Sequence, residues 1–288
     1  PGGNRWSANN YWCNHARNIG MMSLALDAAD DVPAASGDPV SGYLGDYIGN
    51  AIGIWLYIRQ NAELNSLAGG LSPEGTLYGE SSFSAIAMLT AALHSAGYDD
   101  PNTYGPGASI AKNKFWQQDV MDAYIHSLSP ETVQYASWMP PMFVPASYGD
   151  VLQYQSIDMI RQFGPLAMMD IMDGNATSMR LNKIKWIQTY LSPGGPSTLV
   201  NRLTSSLTNY GTLIPILYFL TFDPASAVPT DPRPTMSGQF IAPGLNRILA
   251  RTDRTAAATW FSFISAFDSI DHQWGDSNSF SFYRNGEW

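Results

Sequence analysis

The chain has 288 residues, of which 45% are hydrophobic and only 14% are charged, and its formal net charge is −9. This composition is typical of a globular protein with a large core and argues against a disordered chain, and the acidic balance argues against a basic face for nucleic acid. The single cysteine, Cys13, excludes an intrachain disulfide, and the sequence has no run of about 18 or more apolar residues of the kind that spans a membrane.

From about residue 10 to residue 222 the sequence has the pattern of a helical domain. Residues 18–30 are rich in Ala, Leu and Met, which favour helix. Residues 42–64 carry apolar side chains at helical spacing, and residues 79–96 are apolar almost all round, as in a helix buried between others. Further helices are predicted over residues 109–127, 151–172, 180–191, 197–208 and 212–221. Pro- and Gly-rich loops separate them, which indicates stacked helical hairpins.

After Phe222 the pattern changes. A short stretch that we interpret as a linker contains four prolines, Pro224, Pro229, Pro232 and Pro234. Residues 257–267 and 279–283 are rich in aromatic and β-branched side chains, which predicts strands. We therefore predict a helical domain over residues 1–227 and an antiparallel β domain over residues 228–288.

The end of the chain carries a sequence resemblance. Residues 243–288 contain an Ala-Thr-Trp-Phe-Ser-Phe strand, a turn with a histidine, and then the pattern D-x-x-S-F-x-x-Y-x-x-G-E-W. The residues that match this pattern are Asp276, Ser279, Phe280, Tyr283, Gly286, Glu287 and Trp288. The segment resembles the start of the β-sandwich domain of heparinase II/III-like polysaccharide lyases. Because the chain begins at Pro1 and stops inside a predicted strand, we expect a mature, trimmed or fragmentary polypeptide.

Three segments of the helical part resemble the same family. Residues 9–15 (NNYWCNH) resemble a segment that carries an Asn-His pair on a toroid helix. Residues 72–78 (SPEGTLY) resemble an E-G-x-x-Y loop before an inner helix, and residues 147–150 (SYGD) resemble a later Gly-Asp segment. The resemblance implies an incomplete (α/α) toroid followed by the beginning of an antiparallel β-sandwich. It also implies β-elimination of a uronic-acid polysaccharide such as heparan sulfate or alginate.

The resemblance assigns catalytic roles to four residues. β-Elimination removes the C5 proton of a uronate beside its carboxylate, so a hydrogen-bond donor or cation on that carboxylate stabilises the developing charge. Asn14 is the predicted neutralising group, helped by His15 or an arginine. Tyr78 is the predicted acid and a candidate base, and His15 or His272 is the predicted base.

Glu74, Tyr148 and Arg247 are the predicted substrate-binding residues. Structural alternatives stand beside these roles. Glu74 also suits the positive N-terminus of a helix, Asn14 also suits a helix cap, and Tyr78 is also an ordinary choice for a core position.

The turn that contains His272 bears on metal binding. In the family this turn often reads His-x-His-x-Asp, with a structural metal nearby, whereas here Trp274 replaces the second histidine and Asp276 remains. A zinc site needs about four ligands, and this segment offers at most two. We therefore expect no metal or other cofactor, since structural zinc or calcium would need ligands from elsewhere.

The resemblance also predicts the partner and the location. We expect an anionic polysaccharide or oligosaccharide as substrate, no nucleic acid, no membrane, and a secreted or periplasmic protein; the oligomeric state does not follow from the sequence. The 9 Trp and 15 Tyr are a surplus common where sugars stack on rings, with core packing as the alternative. Core packing is favoured for the individual candidates Trp116, Trp138 and Trp186.

Two other functions compete with the lyase. A glycoside hydrolase on a helical toroid would need two carboxyl groups that face each other across the scissile bond, and no pair of carboxylates stands out by motif. A non-catalytic glycan-binding protein of the same fold is the second alternative, and Trp274 in the turn favours it. Fold alone does not decide among the three.

Overall fold

The computed structural model describes residues 6–26, 48–49, 51–134, 137–138, 140–150, 159–204, 213–223, 228–266 and 278–287. These residues form a mainly helical body followed by a four-stranded antiparallel sheet. The prediction of a mainly α protein with C-terminal β structure is confirmed. Closure of the helices into a toroid and growth of the sheet into a sandwich stay predictions. The predicted boundary at residue 228 follows residues 224–227, which lie outside the described residues, and also stays a prediction.

The α-helices are α1 Asn10–Ala25, α2 Tyr57–Leu64, α3 Gly75–Ser95, α4 Pro101–Tyr104, α5 Val120–Ser127, α6 Ile160–Met172, α7 Met179–Trp186, α8 Leu199–Thr204 and α9 Leu213–Thr221. Three π-helical segments cover Ala51–Leu56, Phe115–Asp119 and Ile187–Leu191. Short 3-10 turns cover Pro106–Lys112, Gly195–Thr198, Arg233–Thr235 and Pro243–Leu245. Across the described ranges, no helix combines the length and the apolar character needed to cross a membrane.

The longest of these helices, α3, is buried between α1 and α6. Its consecutive residues Ala85, Ile86 and Ala87 are all fully buried, which shows that neighbours cover every face of the helix at this level. On α1, Gly20 faces Leu89 so closely that a Cβ atom would overlap the leucine side chain. The predicted buried helix over residues 79–96 is confirmed, and it begins one turn earlier, at Gly75.

A buried ion pair lies in the main core. Arg59 Nε donates a hydrogen bond to Glu63 Oε1 over 3.1 Å, and Trp116 Nε1 donates to the same oxygen over 2.8 Å. Arg59 Nη1 also donates to the carbonyl of Ser7 over 2.9 Å, and its guanidinium lies 5.2 Å from the centre of the Phe83 ring. Burial raises the pKa of Glu63 to about 7, although the charge of Arg59 acts in the opposite direction.

The sheet contains β1 Gln239–Ala242, β2 Arg247–Arg251, β3 Trp260–Ile264 and β4 Ser279–Tyr283, in that order. Every neighbouring pair is antiparallel. Along β3, buried residues alternate with half-buried ones, as expected of a sheet that packs one face on a core. The predicted strands over residues 257–267 and 279–283 are confirmed as β3 and β4.

The buried face of the sheet is hydrogen-bonded to the helical body. Trp260 Nε1 donates to the carbonyl of His126 over 3.0 Å, and Arg251 Nη2 donates to the carbonyls of His126 and Leu128 over 3.1 and 2.8 Å. Tyr283 Oη donates to Glu131 Oε1 over 2.7 Å. These contacts fix the sheet against α5 and the segment that follows it.

Candidate functional site

The start of α1 is joined to the start of α3 through Glu74. This side chain is fully buried, and its two carboxylate oxygens accept hydrogen bonds from Asn9 Nδ2 over 2.8 Å and from Ser82 Oγ over 3.0 Å. Asn9 also caps α1, because its Oδ1 accepts a hydrogen bond from the backbone N–H of Tyr11 over 3.0 Å. Glu74 therefore fixes the register between the two helices that carry Asn14 and Tyr78.

Asn14 lies one turn further along α1 and contacts α3. Its Nδ2 donates to the carbonyl of Asn10 over 2.8 Å and to Ser81 Oγ over 3.2 Å. Ser81 and Tyr78 are three residues apart on α3, and Asn14 and Arg17 are three residues apart on α1, so each pair shares a face of its helix. The alternative that Asn14 caps the helix is wrong, since α1 already begins at Asn10 and Asn9 is the cap.

Arg161, on α6, brings a second cation to the same region. Its Nη1 lies 3.5 Å from Glu80 Oε2 of α3. Burial lowers the pKa of Arg17, and the charge of Arg161 lowers it further, which shows that the two guanidinium groups are electrostatic neighbours. A guanidinium group is positively charged at neutral pH.

We call these groups the polar cluster. It consists of Asn14, Arg17, Tyr78, Glu80, Ser81 and Arg161, and each member is partly buried and partly exposed. Three helices contribute to it, so only the folded chain brings it together. Chemically it offers an amide and a hydroxyl, two guanidinium groups and a phenol, with one carboxylate paired to Arg161. This set suits an anionic ligand that carries hydroxyl groups.

The loop that contains Tyr148 is bound to the first turn of α3. Gly75 and Gly149 form an antiparallel bridge, and Leu77 N–H donates to the carbonyl of Asp150 over 3.2 Å. Gly75 has a φ of +84°, and a Cβ there would lie 2.6 Å from backbone atoms of Asp150 and Tyr148. Only glycine suits this close approach.

Arg247 of β2 lies behind this loop. Its guanidinium carbon is 4.0 Å from the centre of the Tyr148 ring, and its Nη2 donates to the carbonyl of Ala146 and to Ser262 Oγ over 3.2 and 3.0 Å. Arg247 and Tyr148 are 1% and 4% exposed, and Glu74 is 0% exposed. A glycan could reach these three predicted substrate-binding residues only after movement of the chain around them. Their observed contacts give them positioning roles.

A small cavity lies beside Glu80, between α3, α5 and the loop of Tyr148. Its volume is about 40 Å³, and Glu80, Tyr124, Tyr148 and Gln162 are among the residues that line it. Small-molecule sites usually measure roughly 300 Å³ or more. The cavity is therefore too small for a saccharide unit, whereas the residues of the polar cluster are partly exposed.

The two predicted histidines differ in what the structure shows of them. His15 is exposed on α1, directly after Asn14. His272, together with Trp274 and Asp276, lies outside the described residues. Within the ranges that the structure describes, no group of three or more His, Cys, Asp and Glu side chains could hold a metal ion.

Sequence reasoning did not single out Arg17, Ser81 or Arg161. The spacing of Arg17 from Asn14 and of Ser81 from Tyr78 is a signal that was available, because residues three apart share a helix face. Arg161 gave no such signal, since its position beside Glu80 depends on how α6 packs against α3.

Comparison with known proteins identifies no family for this sequence. No protein-family model matches the sequence, and no curated protein matches it. The heparinase II/III-like resemblance therefore depends on the motifs quoted above, and the argument for function depends on the geometry of the polar cluster.

Proposed function

We propose that the protein is a polysaccharide lyase that cleaves a uronic-acid-containing glycan by β-elimination, with the polar cluster as its reaction centre. The observation that carries the proposal is the hydrogen bond from Asn14 to Ser81, which joins α1 to α3 on the helix faces that also carry Arg17 and Tyr78. The proposed architecture is an incomplete (α/α) toroid followed by the beginning of a β-sandwich. Degradation of a large glycan also implies a secreted or periplasmic location.

In this mechanism the substrate carboxylate is bound by Ser81 and Arg17. Ser81 Oγ accepts a hydrogen from Asn14, so its own O–H can donate to a carboxylate oxygen, and Arg17 supplies a charge-assisted hydrogen bond. These donors stabilise the negative charge that accumulates on the carboxylate when the C5 proton leaves. Asn14 contributes by holding the serine hydroxyl in orientation.

Tyr78 is the proposed proton-transfer group. Tyr78 lies one helical turn before Ser81 on the same face of α3. As phenolate it accepts the C5 proton of the bound uronate, and as phenol it then donates that proton to the glycosidic oxygen while the bond from C4 to that oxygen breaks and the C4–C5 double bond forms, which regenerates the phenolate. His15, exposed beside Asn14, is the proposed alternative base.

Arg161 offsets the acidity of the chain in this region. The whole protein carries a formal charge of −9, which on average repels an anionic polymer. Within the polar cluster Arg17 and Arg161 supply two positive charges, and Glu80, which pairs with Arg161, supplies one negative charge. This local excess of positive charge would favour a polyanion although the average field opposes it.

Elimination leaves a C4–C5 double bond conjugated to the carboxylate, which absorbs ultraviolet light. The test is to follow this absorbance with a panel of uronic-acid polysaccharides, using wild type, Asn14→Ala and the control Asn61→Ala. Asn61 Nδ2 also donates to the carbonyl four residues earlier, Tyr57, but on an exposed helix face. We expect wild type and Asn61→Ala to give product and Asn14→Ala to be about 10²–10³-fold slower.

Other products would identify the competing functions. New reducing ends without ultraviolet absorbance would indicate a hydrolase and contradict the proposal. Glycan binding without any product would indicate the non-catalytic alternative and would contradict it equally.

A further inference from the structure

A second concave surface, away from the polar cluster, lies where the segment before the sheet crosses the end of α7. It is a cleft of about 370 Å³, lined by Phe143, Trp186, Tyr190, Leu191, Pro229, Asp231 and Arg233. This volume is within the range of small-molecule sites, unlike the cavity beside α3. We call it the aromatic cleft.

One wall of the aromatic cleft is made of aromatic rings. Trp186 ends α7 and Tyr190 follows in the π-helical segment, and their ring centres are 6.0 Å apart with planes tilted by 33°. Trp186 is buried and forms the base of this wall, whereas Tyr190 and Phe143 are only partly buried. Flat ring faces with a negative quadrupole attract the polarised C–H groups of a sugar ring.

A charged pair held in a fixed position also lines the cleft. Arg233 Nη2 and Asp231 Oδ2 are 2.8 Å apart, and Arg233 Nε contacts both carboxylate oxygens of Asp231 at 3.1 Å. The guanidinium also lies 4.8 Å from the centre of a Trp186 ring. Asn182 of α7 fixes the segment through two hydrogen bonds to the backbone of Thr230, of 2.9 and 3.0 Å. The cleft is therefore preorganised.

Two further arginines lie next to Arg233. The charges of Arg254 and Arg233 contribute to lowering the pKa of Arg251 to about 10, after burial as the main cause. Arg251 Nε and Arg254 Nη1 are buried and have no hydrogen-bond partner among the described residues. Neither arginine lines the cleft, so their contribution to it is positive potential around Arg233 rather than direct contact.

We propose that the aromatic cleft binds a saccharide unit that carries a carboxylate or sulfate group. The sugar ring packs on Tyr190 and Phe143, and the anionic group binds Arg233 on its side towards Arg254. Asp231 accepts hydrogen bonds from sugar hydroxyls. A planar guanidinium can bind either anion through two parallel hydrogen bonds, which a lysine cannot.

This inference rests on the proposed function, because it takes the ligand to be another unit of the same anionic glycan. The aromatic cleft is built from the end of α7, the π-helical segment that follows it, Phe143 and residues 229–233, whereas the polar cluster is built from α1, α3 and α6. The cleft would act as a distal binding subsite that raises affinity for the polymer and takes no part in the proton transfers.

The test is calorimetric titration of the full chain with three oligosaccharides of equal length: a uronate oligomer, a sulfated neutral oligomer and an unsulfated neutral oligomer. All titrations use an Asn14→Ala background, which weakens the polar cluster so that the measured binding reports mainly on the cleft. The variants are Arg233→Gln and Tyr190→Ala, and the control is Arg284→Gln, at an exposed residue directly after β4. Arg233 and Asp231 side chains are 31% and 37% exposed, so the Arg233 variant is expected to fold.

We expect at least one anionic oligomer to bind, and its identity names the carboxylate or the sulfate as the natural group. Arg233→Gln and Tyr190→Ala should each weaken that binding about tenfold or more, because each removes one direct contact, and Arg284→Gln should not weaken it. Equal binding of the neutral oligomer, or binding by Arg233→Gln within about twofold of its background, would overturn the inference.

Calorimetry measures binding and does not require turnover, so the binding subsite and the lyase activity can fail independently of each other. Cleft-dependent binding in a protein that forms no unsaturated product would refute the lyase and retain the subsite. If the wild-type protein forms the unsaturated product but Arg233→Gln does not change the affinity for the oligosaccharide, the lyase proposal is retained and the proposed subsite is refuted.

Discussion

The indole Nε1 of Trp260 donates a hydrogen bond to the backbone carbonyl of His126 over 3.0 Å, which joins the first residue of β3 to the last turn of α5. Trp260 is fully buried and packs with Ala146, Leu249 and Tyr283. A single side chain thus contributes both a polar and an apolar contact between the sheet and the helical body, although the two residues are 134 positions apart in sequence.

Replacement of Trp260 should therefore weaken the whole fold. Trp260→Phe removes the hydrogen bond and part of the buried ring, and we expect the free energy of unfolding to fall by about 2–4 kcal/mol. Urea denaturation followed by circular dichroism measures this change. Trp138→Phe is the matched control, since Trp138 is 79% exposed and its loss should cost less than about 0.5 kcal/mol. Equal effects of the two variants would refute this account of the junction.

His126 should make the protein sensitive to acid. Burial lowers its pKa to about 3, and the charges of Arg254, Arg251 and Lys183 contribute. The unfolded chain accepts a proton near pH 6.5, whereas the folded chain does not, so stability is lost as the pH falls below 6.5 towards 3. Between pH 7 and pH 5 this one group should remove about 2 kcal/mol from the free energy of unfolding.

Urea denaturation of wild type and His126→Gln at both pH values checks this prediction. The difference between pH 7 and pH 5 should be about 2 kcal/mol smaller in the variant, whatever the variant costs at pH 7. An unchanged difference would show that His126 does not titrate as its buried position requires.

The Arg59–Glu63 pair should show the opposite dependence on pH. The pKa of Glu63 is raised from 4.5 to about 7, so the folded protein takes up this proton more readily than the unfolded chain, and the related stability is lost as the pH rises through 7. Arg59→Met leaves the buried carboxylate without its cation. We expect it to cost about 3–5 kcal/mol at pH 8 and clearly less at pH 5, where Glu63 is already neutral.

Equilibrium unfolding of wild type and Arg59→Met at pH 5 and pH 8 measures this difference. Arg284→Met, at an exposed arginine, should have little effect at either pH. A cost of Arg59→Met that is the same at both pH values would contradict the assigned pairing.

Substitution of Gly75 should destabilise the protein more than substitution of Gly97. Both have positive φ, of +84° and +78°, but a Cβ at Gly75 would lie 2.6 Å from the backbone of the Tyr148 loop, whereas nothing lies within 4 Å of one at Gly97. Gly97→Ala should cost only the strain of its φ, about 1 kcal/mol. Gly75→Ala should cost at least about 2 kcal/mol more, because the loop must also move.

Thermal or urea denaturation of the two alanine variants tests this contrast directly. Equal losses of stability would mean that the bridge between Gly75 and Gly149 does not hold the loop against α3.

Local sequence patterns predicted the elements that depend on local properties. The apolar residues of α3 predicted a buried helix, and the aromatic residues of β3 and β4 predicted two strands. These predictions succeeded because helix or strand propensity and burial favour the same structure in these segments. The predicted helix over residues 109–127 is instead a 3-10 turn, a π-helical segment and α5 in succession. Periodicity cannot separate these forms, since their hydrogen-bond spacings differ by one residue.

The site was less predictable because it depends on tertiary packing. Asn14 and Tyr78 were named from motifs, and the contact of Asn14 with Ser81 places them on facing helices. Glu74, Tyr148 and Arg247 were predicted to bind substrate, yet each is buried by contacts with residues distant along the chain. The aromatic cleft depends on how residues 228–235 cross α7, and local sequence carries no information on such a crossing.

The measurement that tests the central claim most directly is the ultraviolet absorbance of the unsaturated product, compared between wild type, Tyr78→Phe and Tyr98→Phe. Tyr98 is also partly buried, but it packs on Tyr104 beyond the far end of α3. Tyr78→Phe keeps the ring and removes the hydroxyl, so the rate should fall about 10²-fold or more while folding is retained, and Tyr98→Phe should match wild type. Undiminished product formation by Tyr78→Phe, or no product from wild type with any uronic-acid polysaccharide, would contradict the account.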